Sequence, residues 1–497
     1  MKKIIIALIA LAAIQVGCTK LDEELYDRIP EDEFTPDPVL KMSPIYAPMR
    51  EFVDWGGWWF AQELPSDEMT APTRGSDWDD GGKWRVLHQH SWDNNTEAIN
   101  SMWSRFYSGI VESNKFLEEM QNFAGDPVAD AGIAKAKVLR AYYYYLLIDN
   151  YGDVPFVEKY LDAETNPKRN LRADIFNKIV SDIEQNAPLI PTSSSKTGAG
   201  KGFAYSVLAK LYLNAEVYTG TPQWAKAEQA IDSVMMLGQY SLESNPLAPF
   251  VTENSSSPEI IFLIPFDEDT YQGFNLHMRT LHYNSNLTFD MEAGPWNGFA
   301  AMEDHYNTYE DGDLRKDGYF LVGQQYESDG TTEIIDQGAG GAPLVFDPEI
   351  PALLMDATYN AVEIRMSGAR VKKFEIKNGA RDNLSNDFPI FRYADILLMK
   401  AEAVMRQGGN GDEYINQIRQ RAGVASISGA TLDDLLAERG RELFWEAHRR
   451  QDLIRFGKFN QSWWEKATST PDRNIFPVPQ WAIDANPNLA EAPVPIQ

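Results

Sequence analysis

Residues 133–150 are apolar on nearly every side of a helical projection and contain four consecutive tyrosines, Tyr142, Tyr143, Tyr144 and Tyr145. A helix without a polar face must be enclosed by other elements, so this stretch demands helical layers around it. The neighbouring sequence supplies them. Ile99, Met102, Phe106, Ile110, Phe116 and Leu117 mark a helix before it, and Ile175, Ile179 and Ile183 recur at i, i+4 and i+8 after it. Residues 202–217 and 224–237 continue the pattern, which returns at 391–405, 412–421 and 432–450. Helices joined in pairs predict a mainly α fold of tetratricopeptide-like hairpins, at about 97–240 and 390–457. Thr431 with Asp434 three residues on is a capping-box pattern that opens the last of them. On a continuous helix, Glu442/Glu446 would repel and Glu446/Arg450 attract at i, i+4, each by roughly a few tenths of a kcal/mol.

Between these blocks the period is lost. Residues 240–390 are rich in Gly, Pro, Asn and aromatics, which predicts an irregular, loop-rich insertion with a few short strands. Residues 259–264 read as a short buried strand, and 328–342 as an exposed glycine-rich loop.

The first residues decide the address. Lys2 and Lys3 precede an apolar stretch at 4–14, too short to span a bilayer. It ends Gln15-Val16-Gly17-Cys18 and includes the only cysteine of the chain, an arrangement resembling a bacterial lipobox. Residues 1–17 are therefore expected to be a lipoprotein signal peptide, with Cys18 lipidated and serving as the membrane anchor. A single cysteine excludes an internal disulfide framework and any multi-cysteine metal site. Residues 18–48, acidic and proline-rich, read as a linker, and 49–497 as one domain. Lys and Arg number 45 against 73 Asp and Glu, a net charge of −28, which excludes nucleic acid as a partner.

Four motifs, in order, resemble the RagB/SusD family of surface nutrient-binding lipoproteins. Leu139-Arg140-Ala141 followed by Tyr151-Gly152-Asp153-Val154-Pro155 is the first, and Arg392-Tyr393-Ala394-Asp395 running to Ala401-Glu402-Ala403 the second. The third and most specific is Glu438-Arg439, Glu442-Leu443, Glu446, Arg449, Asp452-Leu453, Arg455-Phe456-Gly457. The fourth is Pro477-Val478-Pro479 with Asn486-Pro487-Asn488-Leu489; the acid usual in this tail is absent, Trp481-Ala482-Ile483 standing there. Lys20-Leu21-Asp22-Glu23-Glu24 resembles the export tag of surface lipoproteins in Bacteroidetes-type bacteria. The resemblance implies helical hairpins packed on an irregular region. It also implies a SusC-like TonB-dependent β-barrel transporter as partner and an outward-facing place at the outer membrane. The implied role is capture of an oligosaccharide or polysaccharide for delivery to that barrel. The motifs themselves read as scaffold.

For the ligand, seven of the thirteen tryptophans fall between 55 and 103, interleaved with charges. Trp58, Trp59, Phe60 and Trp103 are assigned to the core, as is the tyrosine run. Asp67, Arg74, Trp78, Asp80 and Trp84, in a stretch rich in glycine and charge, are the candidate ligand contacts. Flat indole faces beside acids and arginine suit sugar rings and their hydroxyls. From the insertion come Tyr283, with Asn284, and Trp296. Packing is the competing reading for Trp78 and Trp84, and an ion pair or cap for Asp67, Arg74 and Asp80. His88 and His90 lack a third ligand at metal spacing, and Asp77, Asp79 and Asp80 lack the closing Glu of a calcium loop; no metal or cofactor is assigned. The chain carries no nucleophile elbow, phosphate-binding glycine loop or His-Glu-x-x-His helix, so the expectation is a binder rather than an enzyme. A peptide-capturing member of the family and an α-helical glycoside hydrolase remain the alternatives.

Overall fold

The computed structural model describes residues 37–54, 57–192 and 195–496. Residues 1–17, Cys18 and Trp55 lie outside them. Residues 37–41 belong to a separate unit, of which Pro38–Lys41 forms a single helical turn. Everything described below lies in the unit from Met42 onward.

The helices follow from the hydrophobic period. Trp58–Glu63 (α1) and Lys83–His88 (α2) are short. Glu97–Met120 (α3) and Pro127–Tyr151 (α4) form the first long pair, followed by Arg172–Asn186 (α5), Lys201–Leu213 (α6) and Trp224–Met236 (α7). After the insertion come Tyr393–Arg406 (α8), Asp412–Arg421 (α9), Leu432–Leu443 (α10) and Arg449–Arg455 (α11). Successive helices pack on one another from α3 to α7, and α8 packs on α7, α9 and α10, so the two helical blocks make one continuous stack. The mainly α fold of hairpins is as expected.

α4 is the centre of that stack. Asp126 caps it, accepting from the amides of Val128 and Ala129, and Pro127 starts it. All four tyrosines of its run are buried. Three of their hydroxyls find partners: Tyr143 donates to the Ile45 carbonyl (2.5 Å), Tyr144 to that of Val157 (2.9 Å), and Tyr145 accepts from Gln451 (2.7 Å). α3 approaches closely because Gly109 faces Tyr143; a Cβ there would lie 2.1 Å from the ring.

Three expectations need correction. The linker expected to reach residue 48 gives way to packed structure from Met42: Ile45, Pro48, Met49 and Phe52 are buried. The segment 328–342 is not wholly an exposed loop, since Ile334 and Ala339 join Leu344, Phe346 and Met366 in a small core of their own. The last helix is not continuous over 432–450. It ends at Leu443 and restarts at Arg449, with Trp445 (φ 70°) and Ala447 (φ 64°) in left-handed conformation between them. The cause is competition for carbonyls. Lys373 donates to the Glu442 and Phe444 oxygens (3.1 and 2.7 Å), and Arg392 to that of Glu442 (2.7 Å). Glu442 and Glu446 are therefore not helix-surface neighbours but members of a buried ion network. Thr431 and Asp434 do form the capping box.

The insertion contains one substantial strand pair, Ile260–Ile264 (β1) antiparallel to Phe388–Arg392 (β2), fully buried. The other pairings are two residues long, and several join distant segments. Met69–Thr70 pairs with Ala300–Ala301, and Thr73–Arg74 with Leu354–Met355 in parallel. These short ladders staple the tryptophan-rich N-terminal stretch to the insertion.

Candidate binding site

An aromatic foundation forms where those staples meet. Phe60 and Trp59 from α1, Trp84 from α2, Trp78 from the preceding loop and Phe299 from the insertion converge, with ring centres of each 5.1–6.0 Å from that of Phe299. Trp84 is 2% exposed and Trp78 9%. The expectation that these two indoles present open faces is overturned: burying two aromatic side chains against three others outweighs leaving them in water.

Their polar tips instead hold the surface. The Trp78 indole N–H donates to the Trp296 carbonyl (2.7 Å), and that of Trp84 to Asp80 Oδ2 (2.7 Å). Gly298 leaves room for this: a Cβ there would lie 2.3 Å from the Trp78 ring. Arg74 is also buried. It donates to the carbonyls of Gly298 (3.2 Å), Ile364 (2.9 Å) and Ser367 (3.0 Å), and burial pulls its pKa down to about 10. Arg74 and Trp78 thus clamp the segment carrying Trp296 from beneath.

Above this foundation Tyr283 and Trp296 are half-buried. The Arg365 guanidinium lies 4.7 Å from the Tyr283 ring centre and is itself gripped by Asp336 through two bonds (2.6 and 2.8 Å). The Tyr283 hydroxyl donates to Asp77; burial, then that carboxylate, pushes its pKa up to about 12. Arg279 lies 5.4 Å from the Trp296 ring. Asp77 and Asp80 are exposed at the rim. Trp78 (φ 60°), Asp80 (φ 42°) and Asn297 (φ 55°) are all left-handed, a clustering of backbone strain of about 1–3 kcal/mol each.

Asp67 stands apart from this arrangement. It is bound by Arg449 through two bonds (2.6 and 2.8 Å); burial opposes its ionisation, but Arg449 outweighs that and holds the carboxyl below its usual range. His88 and His90 are buried against carbonyls of Trp464 (2.9 Å) and Pro65 (3.0 Å), and burial pushes His88 down to about 4. The sequence thus brought Arg74, Trp78, Asp80, Trp84, Tyr283 and Trp296 to one place. It missed Arg365 and Phe299, which no motif marks.

A helical stack carrying half-exposed aromatic rings beside hydrogen-bonding groups is an arrangement suited to binding a ligand. Residues 60–213 match the family model described as starch-binding associating with outer membrane, and residues 355–474 that of the SusD family. The chain belongs to the SusD/RagB family. The starch-binding protein SusD of Bacteroides thetaiotaomicron is 25% identical, covering 86% of this chain and 83% of its own length. Among solved structures, a SusD-like carbohydrate-binding protein from Bacteroides fragilis superposes with a TM-score of 0.73 (20% identical; 91% of this chain, 98% of that one). Surface glycan-binding protein A from Bacteroides thetaiotaomicron, in complex with laminarihexaose, gives 0.72 (18% identical; 90% and 97%). At these identities the solved structures establish the shared fold.

Proposed function

We propose that the protein captures neutral oligosaccharides on the Tyr283–Trp296 pair and passes them to a SusC-like TonB-dependent barrel without cleaving them. The observation that carries this reading is the aromatic pair itself. The half-exposed Tyr283 ring is backed by the Arg365 guanidinium and tied to Asp77, and the half-exposed Trp296 ring is backed by Arg279 on a segment held from below by Trp78 and Arg74. Sugar CH faces lie on such rings while carboxylates and hydroxyls fix orientation. In this reading Tyr283, Trp296 and Asp80 touch ligand, whereas Arg74, Trp78 and Trp84 are positioning residues and Asp67 serves the scaffold. The relatives named for starch and for laminarihexaose support the ligand class. Cys18 is the lipid attachment point that holds the protein on the outward face of the outer membrane. Two tethered proteins meeting in a plane need little intrinsic affinity.

Titration calorimetry of the purified protein with laminarin and starch oligosaccharides is expected to give a Kd of about 10⁻⁴ to 10⁻⁶ M, since exposed polar contacts gain little net energy. Sugar chromatography after long incubation is expected to show unchanged oligomers. Tyr283→Ala and Trp296→Ala are each expected to weaken binding about 3- to 10-fold or more. Undiminished affinity in both variants rejects the site.

A further inference from the structure

We infer a second glycan-binding cleft around Tyr271 and Arg50, a subsite that rests on the capture reading above. A cleft of about 450 Å³ opens between the turn carrying Arg50 and Glu51, the α3 residues Arg105 and Glu112, and Gln272–Gly273. That volume falls within the range of small-molecule sites. Arg50 also borders a second hollow of about 380 Å³, which Tyr271 lines. The Arg50 guanidinium lies 5.4 Å from the Tyr271 ring centre, so this pair forms a ridge at which the two hollows meet. Tyr271 is 52% exposed, unusually open for an aromatic ring with a cation on one face.

The cleft is built rather than left over. Gly273 forms part of its wall at φ +132°, where an L side chain is strained, and a Cβ there would come 3.3 Å from the Phe266 ring. Its amide is fixed by Asn383 Oδ1 (2.9 Å). Glu51 and Arg105 are ion-paired at the cleft.

The chemistry selects the ligand class. Arg50 and Arg105 line the cleft together with Glu51, Asp54, Glu112 and Gln272. With both signs interspersed, no single ion is favoured. Donors and acceptors set beside an open aromatic face are the complement of a neutral polyhydroxylated chain. Asp54 acts electrostatically on Arg279, and Arg279 lies over Trp296. In this assignment a polymer long enough to occupy both Trp296 and the cleft gains affinity through effective concentration, which a short oligosaccharide does not.

The test compares short and long ligands: laminaritriose and maltotriose against laminarin and amylopectin, measured by calorimetry and affinity electrophoresis. Arg50→Ala/Tyr271→Ala is expected to lower polymer affinity at least fivefold and leave trisaccharide affinity unchanged, whereas Trp296→Ala lowers both. Should the double variant melt early, Tyr271→Ala alone, at an exposed position, takes its place. Polymer affinity equal to the parent's overturns the second cleft and leaves the first site standing. A parent that binds none of the four sugars removes the capture reading, and the cleft's assignment with it.

Discussion

Trp78 shows how a residue can matter to a surface it does not form. Its sequence neighbourhood of glycines and acids reads as open loop, yet its ring is buried on Phe299 and only its N–H reaches the site, through the Trp296 carbonyl. What decides this is Gly298, whose missing side chain is the space the indole fills. Gly298→Ala is therefore expected to destabilise the protein by about 1–3 kcal/mol through overpacking. It is also expected to weaken oligosaccharide binding, although Gly298 contacts the ligand in no part of the proposed arrangement. Denaturant melts and calorimetry on the same variant check both effects. Loss of stability with unaltered affinity removes Trp78 as the residue that aims Trp296. Which tryptophans were buried was legible for Trp58 and Trp59, which adjoin Phe60, and for Trp103, which lies beside Ile99, Met102 and Phe106 on the stripe of a long helix. It was not legible for Trp78 and Trp84, whose burial partners come from the insertion more than two hundred residues on.

At the scale of elements, period predicted nearly every long helix, because an apolar stripe has only one efficient way to leave water. The exception is the break between α10 and α11. Nothing in residues 444–448 resembles a stop signal such as Gly or Pro. The stop is imposed by two cations from other segments, Lys373 and Arg392, which take the carbonyls that a further turn would use. Lys373 also bonds Glu446 Oε1 (2.6 Å). Lys373→Met leaves that carboxylate and two carbonyls with fewer partners in the interior. A loss of about 3–5 kcal/mol is expected from breaking one side of a buried pair. Unfolding in urea measures it, and a loss below 1 kcal/mol would show that α10 ends for another reason.

Across the whole molecule, the family's most specific motif turns out to be an ion network rather than a ligand site. Arg392 bonds Glu259, Glu442 and Glu446; Arg315 bonds Asp313, Glu438 and Glu442; Arg439 bonds Asp452, all of them buried. These contacts join β2, the residue before β1, Asp313 and Arg315 to α10 and α11, and so hold the insertion to the helical stack. Glu438 in this network and Glu63 near it set opposite pH responses. Burial alone would raise Glu438, but Arg315 and Arg441 outweigh it and bring its pKa down to about 2. Its contribution is present above the unfolded value of 4.5 and is lost as pH falls toward 2. Glu63 is the reverse: burial pushes it up to about 8, against the Ala447 amide that donates to it. Its contribution is full below 4.5 and is lost as pH rises through 8. Stability is thus expected to peak on the mildly acidic side of neutral. Glu63→Gln keeps the oxygen that accepts from Ala447 and abolishes the charge, so its thermal-melting advantage over the parent is expected to grow from pH 5 to pH 8. An advantage independent of pH would mean that Glu63 is ionised throughout.

The order of hydrophobic and polar residues alone settled the helical stack, the enclosed tyrosine helix, the short buried strand and the family motifs, because each depends on neighbours a few residues away. It also gathered the residues of one surface, Trp78, Trp84, Tyr283 and Trp296, without saying which of them face water. That choice, the interruption at 444–448 and the pairing of Arg365 with Tyr283 were made by contacts between segments far apart in the chain. Burial and ion pairing are properties of a closed surface, and a linear pattern carries no measure of what will lie on its other side.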